Sequence, residues 1–177
     1  MLWNSSIFWG VIVDKQSFSI KMNFTSTHNG DTWFLTNVYE RCDDPAHTAF
    51  INWFKGHEID DSMNWIFLGD FYFYRSLNNH NRPGGNLADT LVFNDAIGHL
   101  GLIELSLKGR AYTWSNMQSD PLLEQLDWFF TLPNWNLDFK TLKCYPWQRL
   151  HQTTSLAKLL SALRYLAPMS LDLRISG

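Results

Sequence analysis

The sequence predicts an α+β or layered α/β fold with partly antiparallel sheets, and three observations lead there. Short β-type segments are interspersed with two amphipathic helical segments. Residues 17–24 alternate strictly, with Phe18, Ile20, Met22 and Phe24 on one side and Ser17, Ser19, Lys21 and Asn23 on the other. A wholly apolar run, Trp65 to Leu68, ends abruptly in Gly69-Asp70. Ahead of the alternating segment, Ile7 to Val13 reads as a strand. His28-Asn29-Gly30-Asp31 is a hairpin-type turn into a further strand from Thr32 to Tyr39. Asp43 and Asp44 offer caps and Pro45 a first-turn position for a helix with Phe50, Trp53 and Phe54 inward, ended by Gly56. Residues 76–86 are a loop by composition. A second helix spans about Ala88 to Leu100, with Val92, Phe93, Ala96, Ile97 and Leu100 inward. Ala111–Ser115 and Leu122–Phe130 complete the set as strands.

With 177 residues, 45% of them apolar and 18% charged, the chain can bury a core, which excludes disordered and fibrous classes. No apolar run approaches a membrane span, and the start Met-Leu-Trp-Asn-Ser-Ser lacks a signal peptide's basic region and long apolar core. Cys42 and Cys144 make neither a disulfide framework nor a zinc site, so a reducing, intracellular setting without disulfide-linked partners is expected. The net charge of −3 divides unevenly. Residues 147–177 hold Arg149, Lys158, Arg164 and Arg174 against Asp172, so residues 1–146 carry the other 10 basic and 16 acidic groups. Such an acidic body argues against simple coating of nucleic acid, although an enzyme holding a divalent cation between carboxylates can be acidic and still act on phosphates. Of 28 aromatic residues only Trp147 and Tyr165 follow residue 146, so the composition changes there.

Two carboxylates stand out. Asp70 closes a buried apolar strand, which puts it at the carboxyl edge of a sheet where ligands gather; otherwise it caps the next loop. Asp127 lies between large apolar residues in Leu122–Phe130, where a buried charge needs a partner; spacing alone leaves an exposed strand position ahead. Tyr39 ends its strand and is either a core tyrosine or a hydroxyl at a polar site. Nine tryptophans would suit an aromatic-rich binding module, but most fall at core positions.

Taken in order, these segments resemble the endonuclease/exonuclease/phosphatase superfamily, and most closely the endonuclease domain of plant LINE-type (non-LTR) retrotransposons. The residues that carry the resemblance include Asn29-Gly-Asp-Thr-Trp-Phe-Leu-Thr-Asn-Val-Tyr39, Trp65-Ile-Phe-Leu-Gly-Asp-Phe71, Asn81-Arg-Pro-Gly-Gly85, Gly109-Arg-Ala-Tyr-Thr-Trp-Ser-Asn116 and Leu123-Glu-Gln-Leu-Asp-Trp-Phe-Phe-Thr131. It covers about residues 2–140. The resemblance implies an α/β sandwich of two mixed sheets flanked by helices, incomplete here, with residues 1–146 a partial domain and 147–177 a divergent tail. It implies Mg²⁺- or Mn²⁺-dependent hydrolysis of DNA phosphodiesters, and a nuclear setting if the chain acts on DNA. By the same resemblance Asp70 handles the attacking water, Tyr39 contacts the scissile phosphate and Asp127 orients a catalytic histidine.

The departures matter as much. The family's Gly-Asp-Phe-Asn reads Gly-Asp-Phe-Tyr72 here, which replaces an amide donor with a phenol. The metal-binding Glu and an early Asn belong to a segment upstream of Met1. The C-terminal Ser-Asp-His is replaced by Leu150-His-Gln-Thr-Thr-Ser-Leu156. Codons compatible with His151–Leu156, read two nucleotides out of register, include Ser-Asp-His-x-Pro, so a frameshift near residues 141–151 is expected. The rival is an authentic tail with Leu156, Leu159, Leu160, Leu163 and Leu166 at helical spacing. Two outcomes follow: an active nuclease centred on Asp70, or a catalytically dead remnant of a mobile element. The missing groups favour the remnant; in an active chain Glu40 or Glu104 would have to supply the metal ligand.

Overall fold

The structure, a computed structural model, describes residues 3–40, 44–60, 62–106, 111–133 and 135, together with the backbone of three short strands further on. In chain order the elements are β1 (Phe8–Lys15), β2 (Ser19–Ser26), β3 (Thr32–Tyr39), α1 (Asp44–Lys55), β4 (Trp65–Asp70), α2 (Leu87–His99), β5 (Ile103–Glu104), β6 (Trp114–Ser115), β7 (Leu123–Glu124) and β8 (Asp127–Thr131). They are followed by β9 (Cys144–Pro146), β10 (Ala157–Leu160) and β11 (Asp172–Leu173). One six-stranded sheet runs in the order β1-β2-β3-β4-β8-β5. Among the described strands only β3 and β4 pair in parallel, as expected for strands joined through a crossover helix, here α1. Strands β6 and β7 form a separate hairpin, and β9 to β11 a three-stranded antiparallel sheet.

Alternation along each strand splits the core into two layers. Met22 and Phe24 from β2, Trp33 and Leu35 from β3, Ile66 and Leu68 from β4, and Phe129 from β8 pack on one face. Val38, Trp65, Phe67, Trp128 and Phe130 face the other way, against Phe50, Ile51 and Phe54 of α1 and Phe93, Ala96 and Ile97 of α2. β4 is buried on both faces, which explains why Trp65-Ile-Phe-Leu68 shows no alternation. The two large indoles in this layer keep their N–H groups satisfied: Trp65 Nε1 donates to Thr36 Oγ1 at 2.9 Å and Trp128 Nε1 to the Phe73 carbonyl at 2.8 Å. Each bond adds about 1 kcal/mol, but an unmade one would cost more. The mixed α/β architecture and the order of elements are those the sequence predicts.

Four local expectations are corrected. Phe18 does not share a face with Ile20; it precedes β2 and packs edge-on to Phe50 and Trp53 of α1. Val92 is 44% exposed, because α2 turns Thr90, Phe93, Ala96 and Ile97 inward instead. Leu122–Phe130 is two strands, since Gln125 N–H bonds to the Asn79 carbonyl and Leu126 N–H to Thr113 Oγ1, which takes both out of the ladder. Ala157–Leu160 is extended, where leucine spacing offered a helix. The remaining expectations for the tail, the domain boundary near residue 147 and both cysteine side chains lie outside the described residues. Among the described residues no helix is long and apolar enough to cross a membrane.

Candidate active site at the ends of β3, β4 and β8

The parallel pairing of β3 with β4 brings their carboxyl ends together, and the antiparallel pairing of β4 with β8 adds the start of β8 to the same edge. Tyr39 is in register with Asp70, and Asp70 with Asp127. Residues whose motif positions lie far apart in sequence thus become lateral neighbours across three strands. The alternation that turns Val38 and Trp128 toward the helices gives Tyr39 and Asp127 to the opposite face, and Asp70 is the register partner of both.

Gly69 is what allows this edge to close. Its φ is +132°, and a Cβ built there would lie 2.0 Å from the Val38 carbonyl oxygen of the adjoining strand. Any side chain would force β3 and β4 apart, so glycine is required where the neighbouring backbone approaches this closely.

Burial lifts the Asp70 carboxyl from its ordinary 3.8 to about 6; the charge of Glu124 adds to the rise, and a 3.1 Å bond from Tyr72 N–H to Oδ1 opposes it. Asp127 is only 7% exposed, and its N–H donates to Thr113 Oγ1 at 3.1 Å. The same hydroxyl accepts from Leu126 N–H at 3.0 Å, so Thr113 fixes the entry to β8. Tyr39 is 60% exposed at the edge, which suits a hydroxyl that meets a substrate rather than the core.

Tyr72 sits in the left-handed region with φ 57° and is 41% exposed. Asn tolerates this region far better than a bulky aromatic, and Asn is the residue that the resembling motif carries there. A bulky aromatic at this position strains the turn behind Asp70.

Glu40 and Glu104 separate clearly. Glu40 follows Tyr39, is 2% exposed, and its N–H bonds to the Asp70 carbonyl at 2.9 Å. Glu104 lies in β5 opposite Phe130, along β8 from Asp127, and is ion-paired to Arg75. Among the described residues no three His, Cys, Asp or Glu side chains converge to hold a metal ion. Glu40, Asp70 and Asp127 share the edge without forming such a cluster, so these residues do not fit a divalent cation, which needs several oxygen ligands at once.

Residues that the sequence reading passed over crowd the same end. Tyr74 donates its hydroxyl to Glu124, and that acceptor together with burial pushes its pKa above the usual phenol value. His47, in α1, packs against Phe73 and Tyr72. Tyr74 follows Asp70 by four residues and Glu124 precedes Asp127 by three; that proximity to the two carboxylates was the available signal.

A six-stranded mixed sheet with two helices on one face, and Asp70 and Asp127 at one strand-end edge, is consistent with the fold of endonuclease/exonuclease/phosphatase proteins. In particular, the chain is similar to the endonuclease domain of TRAS1, a telomere-specific non-LTR retrotransposon, with 13% identity and a TM-score of 0.65, covering 98% of this chain and 72% of that one. A Bacteroides thetaiotaomicron protein of the endonuclease/exonuclease/phosphatase family is 11% identical with a TM-score of 0.48, over 86% of this chain and 60% of that chain. D. rerio TDP2, complexed with a single-strand DNA product, is 14% identical with a TM-score of 0.40, over 80% of this chain and 58% of its own. At these identities the likeness establishes the fold, and it is the TRAS1 domain that carries it. No protein-family model and no curated protein sequence matches the chain.

Proposed function

We propose that the chain derives from a DNA endonuclease of the LINE retrotransposon type, built for phosphodiester hydrolysis, and that the 177-residue protein by itself does not turn over. The observation that carries the first half is the register Tyr39–Asp70–Asp127 at one strand-end edge. In this reading the Asp70 carboxylate takes a proton from the attacking water. A pKa of about 6 suits that work, because the group is largely ionised at neutral pH yet still basic. The Tyr39 hydroxyl donates to a phosphate oxygen, and Asp127 holds the position that, by the resemblance, orients a catalytic histidine. Members of this superfamily draw on Mg²⁺ or Mn²⁺ to offset phosphate charge.

The second half is supported by Tyr72 in place of an amide donor and by the absence of converging metal donors among the described residues. Each missing electrostatic or acid–base group costs roughly 10²-fold or more in rate, so two or three lie below detection. The divergence after about residue 146 fits a reading frame shift, and sequencing the gene across residues 141–151 tests that directly. For an active protein acting on DNA, the compartment would be nuclear.

The deciding experiment is nicking of supercoiled plasmid in Mg²⁺ or Mn²⁺ by the purified chain, with Asp70→Ala alongside. No nicking above a blank is expected from either. Nicking by the wild type that Asp70→Ala abolishes would overturn the remnant reading and point to Glu40, the buried carboxylate at this edge, as a metal ligand.

A further inference from the structure

Beside the strand-end edge lies a cavity of about 160 Å³, walled by residues from α1, the segment after β4, the start of α2 and β7. A cavity of roughly 150 Å³ holds a ligand the size of benzene, so five or six heavy atoms fit. Three features of the lining set the chemistry. Among the described residues that line it, Asp89 and Glu124 are the charged ones, with no lysine or arginine beside them. Tyr72, Phe73 and Tyr74 supply aromatic surface. His47 contributes a ring whose Nε2 is buried and has no hydrogen-bond partner.

We propose that this cavity binds an alkylammonium group, the end of a polyamine or of a lysine side chain presented by a peptide. An ammonium carries three N–H donors and one positive charge. A neutral imidazole with its proton on Nδ1 offers Nε2 as an acceptor, Glu124 offers a carboxylate, and the tyrosine rings offer π-faces to the cation. Because the Tyr74 hydroxyl is itself a donor to Glu124, it holds the carboxylate in place. Phosphate and other anions are repelled by the two carboxylates. The site needs neither a metal nor hydrolysis at Asp70, so it stands or falls separately from the proposed endonuclease origin.

The test is titration of the full chain with n-butylamine at neutral pH, followed by calorimetry and by the His47 ring resonances. Saturable binding that shifts those resonances is expected, and Glu124→Gln should weaken it at least tenfold. Glu58→Gln, which removes an equal charge from an exposed position, should leave it unchanged. Should Glu124→Gln lower the melting temperature substantially, His47→Phe, which deletes the acceptor and keeps an aromatic ring, gives the same comparison. Spermidine binding more tightly than butylamine identifies the polyamine source; an acetyl-lysyl-amide peptide doing so identifies the lysine source. The proposal is overturned if butylamine does not saturate the folded wild type, if Glu124→Gln binds equally well, or if deoxyadenosine monophosphate shifts His47 where butylamine does not.

Discussion

Asp70→Asn separates the burial of the carboxylate from its chemistry. The amide keeps the shape and can still accept the 3.1 Å bond from Tyr72 N–H, but it has no charge to desolvate. The folded-state pKa of about 6 against an ordinary 3.8 means that the native protein holds its proton across a window in which the unfolded chain has already released it. Through that window the unfolded state binds fewer protons, so wild-type stability falls as pH rises from about 4 to about 6, and it is flat on either side as far as this group is concerned. At about 1.36 kcal/mol per pH unit the full difference is about 3 kcal/mol, and the water that still reaches the edge reduces it to roughly 2 kcal/mol. Asp70→Asn should therefore match the wild type at pH 3.5 and exceed it by roughly 2 kcal/mol at pH 8. Urea denaturation of both proteins at half-unit pH intervals measures this, and all other titrating groups cancel in the difference. A pH-independent difference, or a variant less stable at pH 8, would refute the claim that this edge holds the carboxylate away from water.

Two further substitutions probe the scaffold of the same edge. Thr113→Val keeps the volume but strands the buried N–H groups of Leu126 and Asp127, so a loss of roughly 2–4 kcal/mol in urea denaturation is expected, with Thr113→Ser within about 1 kcal/mol of wild type. Tyr72→Asn relieves a non-glycine residue at φ 57° and should stabilise by roughly 1 kcal/mol, a rise of a few degrees in melting temperature; an unchanged or lower melting point would show that the left-handed turn carries no strain.

Much of the fold was legible because it is local. Period-two alternation set the faces of β2 from Ile20 to Phe24, and an unbroken apolar run marked β4 as a buried strand. The Asn29-Gly30 turn, with Gly30 at φ 77°, lies where composition placed it. Asp70 was also legible, since Gly-Asp after an apolar run marks a strand end whatever the rest of the chain does. Helix facing was less so: α2 carries apolar residues on more than one side, with Leu87, Leu91 and Val92 exposed, and which side is buried was settled only when α2 docked on the sheet.

What the sequence by itself determined, then, is which segments are strands and helices and where Asp70 terminates one of them, because propensity, polarity period and turn chemistry act over a few residues. What only the tertiary structure decided is which strand ends meet. The β4–β8 register that sets Asp127 opposite Asp70 is a long-range pairing, chosen by packing Phe67, Trp128 and Phe130 against α1 and α2, and no local pattern encodes it. The same holds for the burial of Glu40 beside Tyr39 and for the cavity that gathers His47, Tyr72 and Glu124 from three separate elements. Side chains acquire a raised pKa or an unmet nitrogen only when distant parts of the chain exclude water from them, and that exclusion is a property of the packed whole.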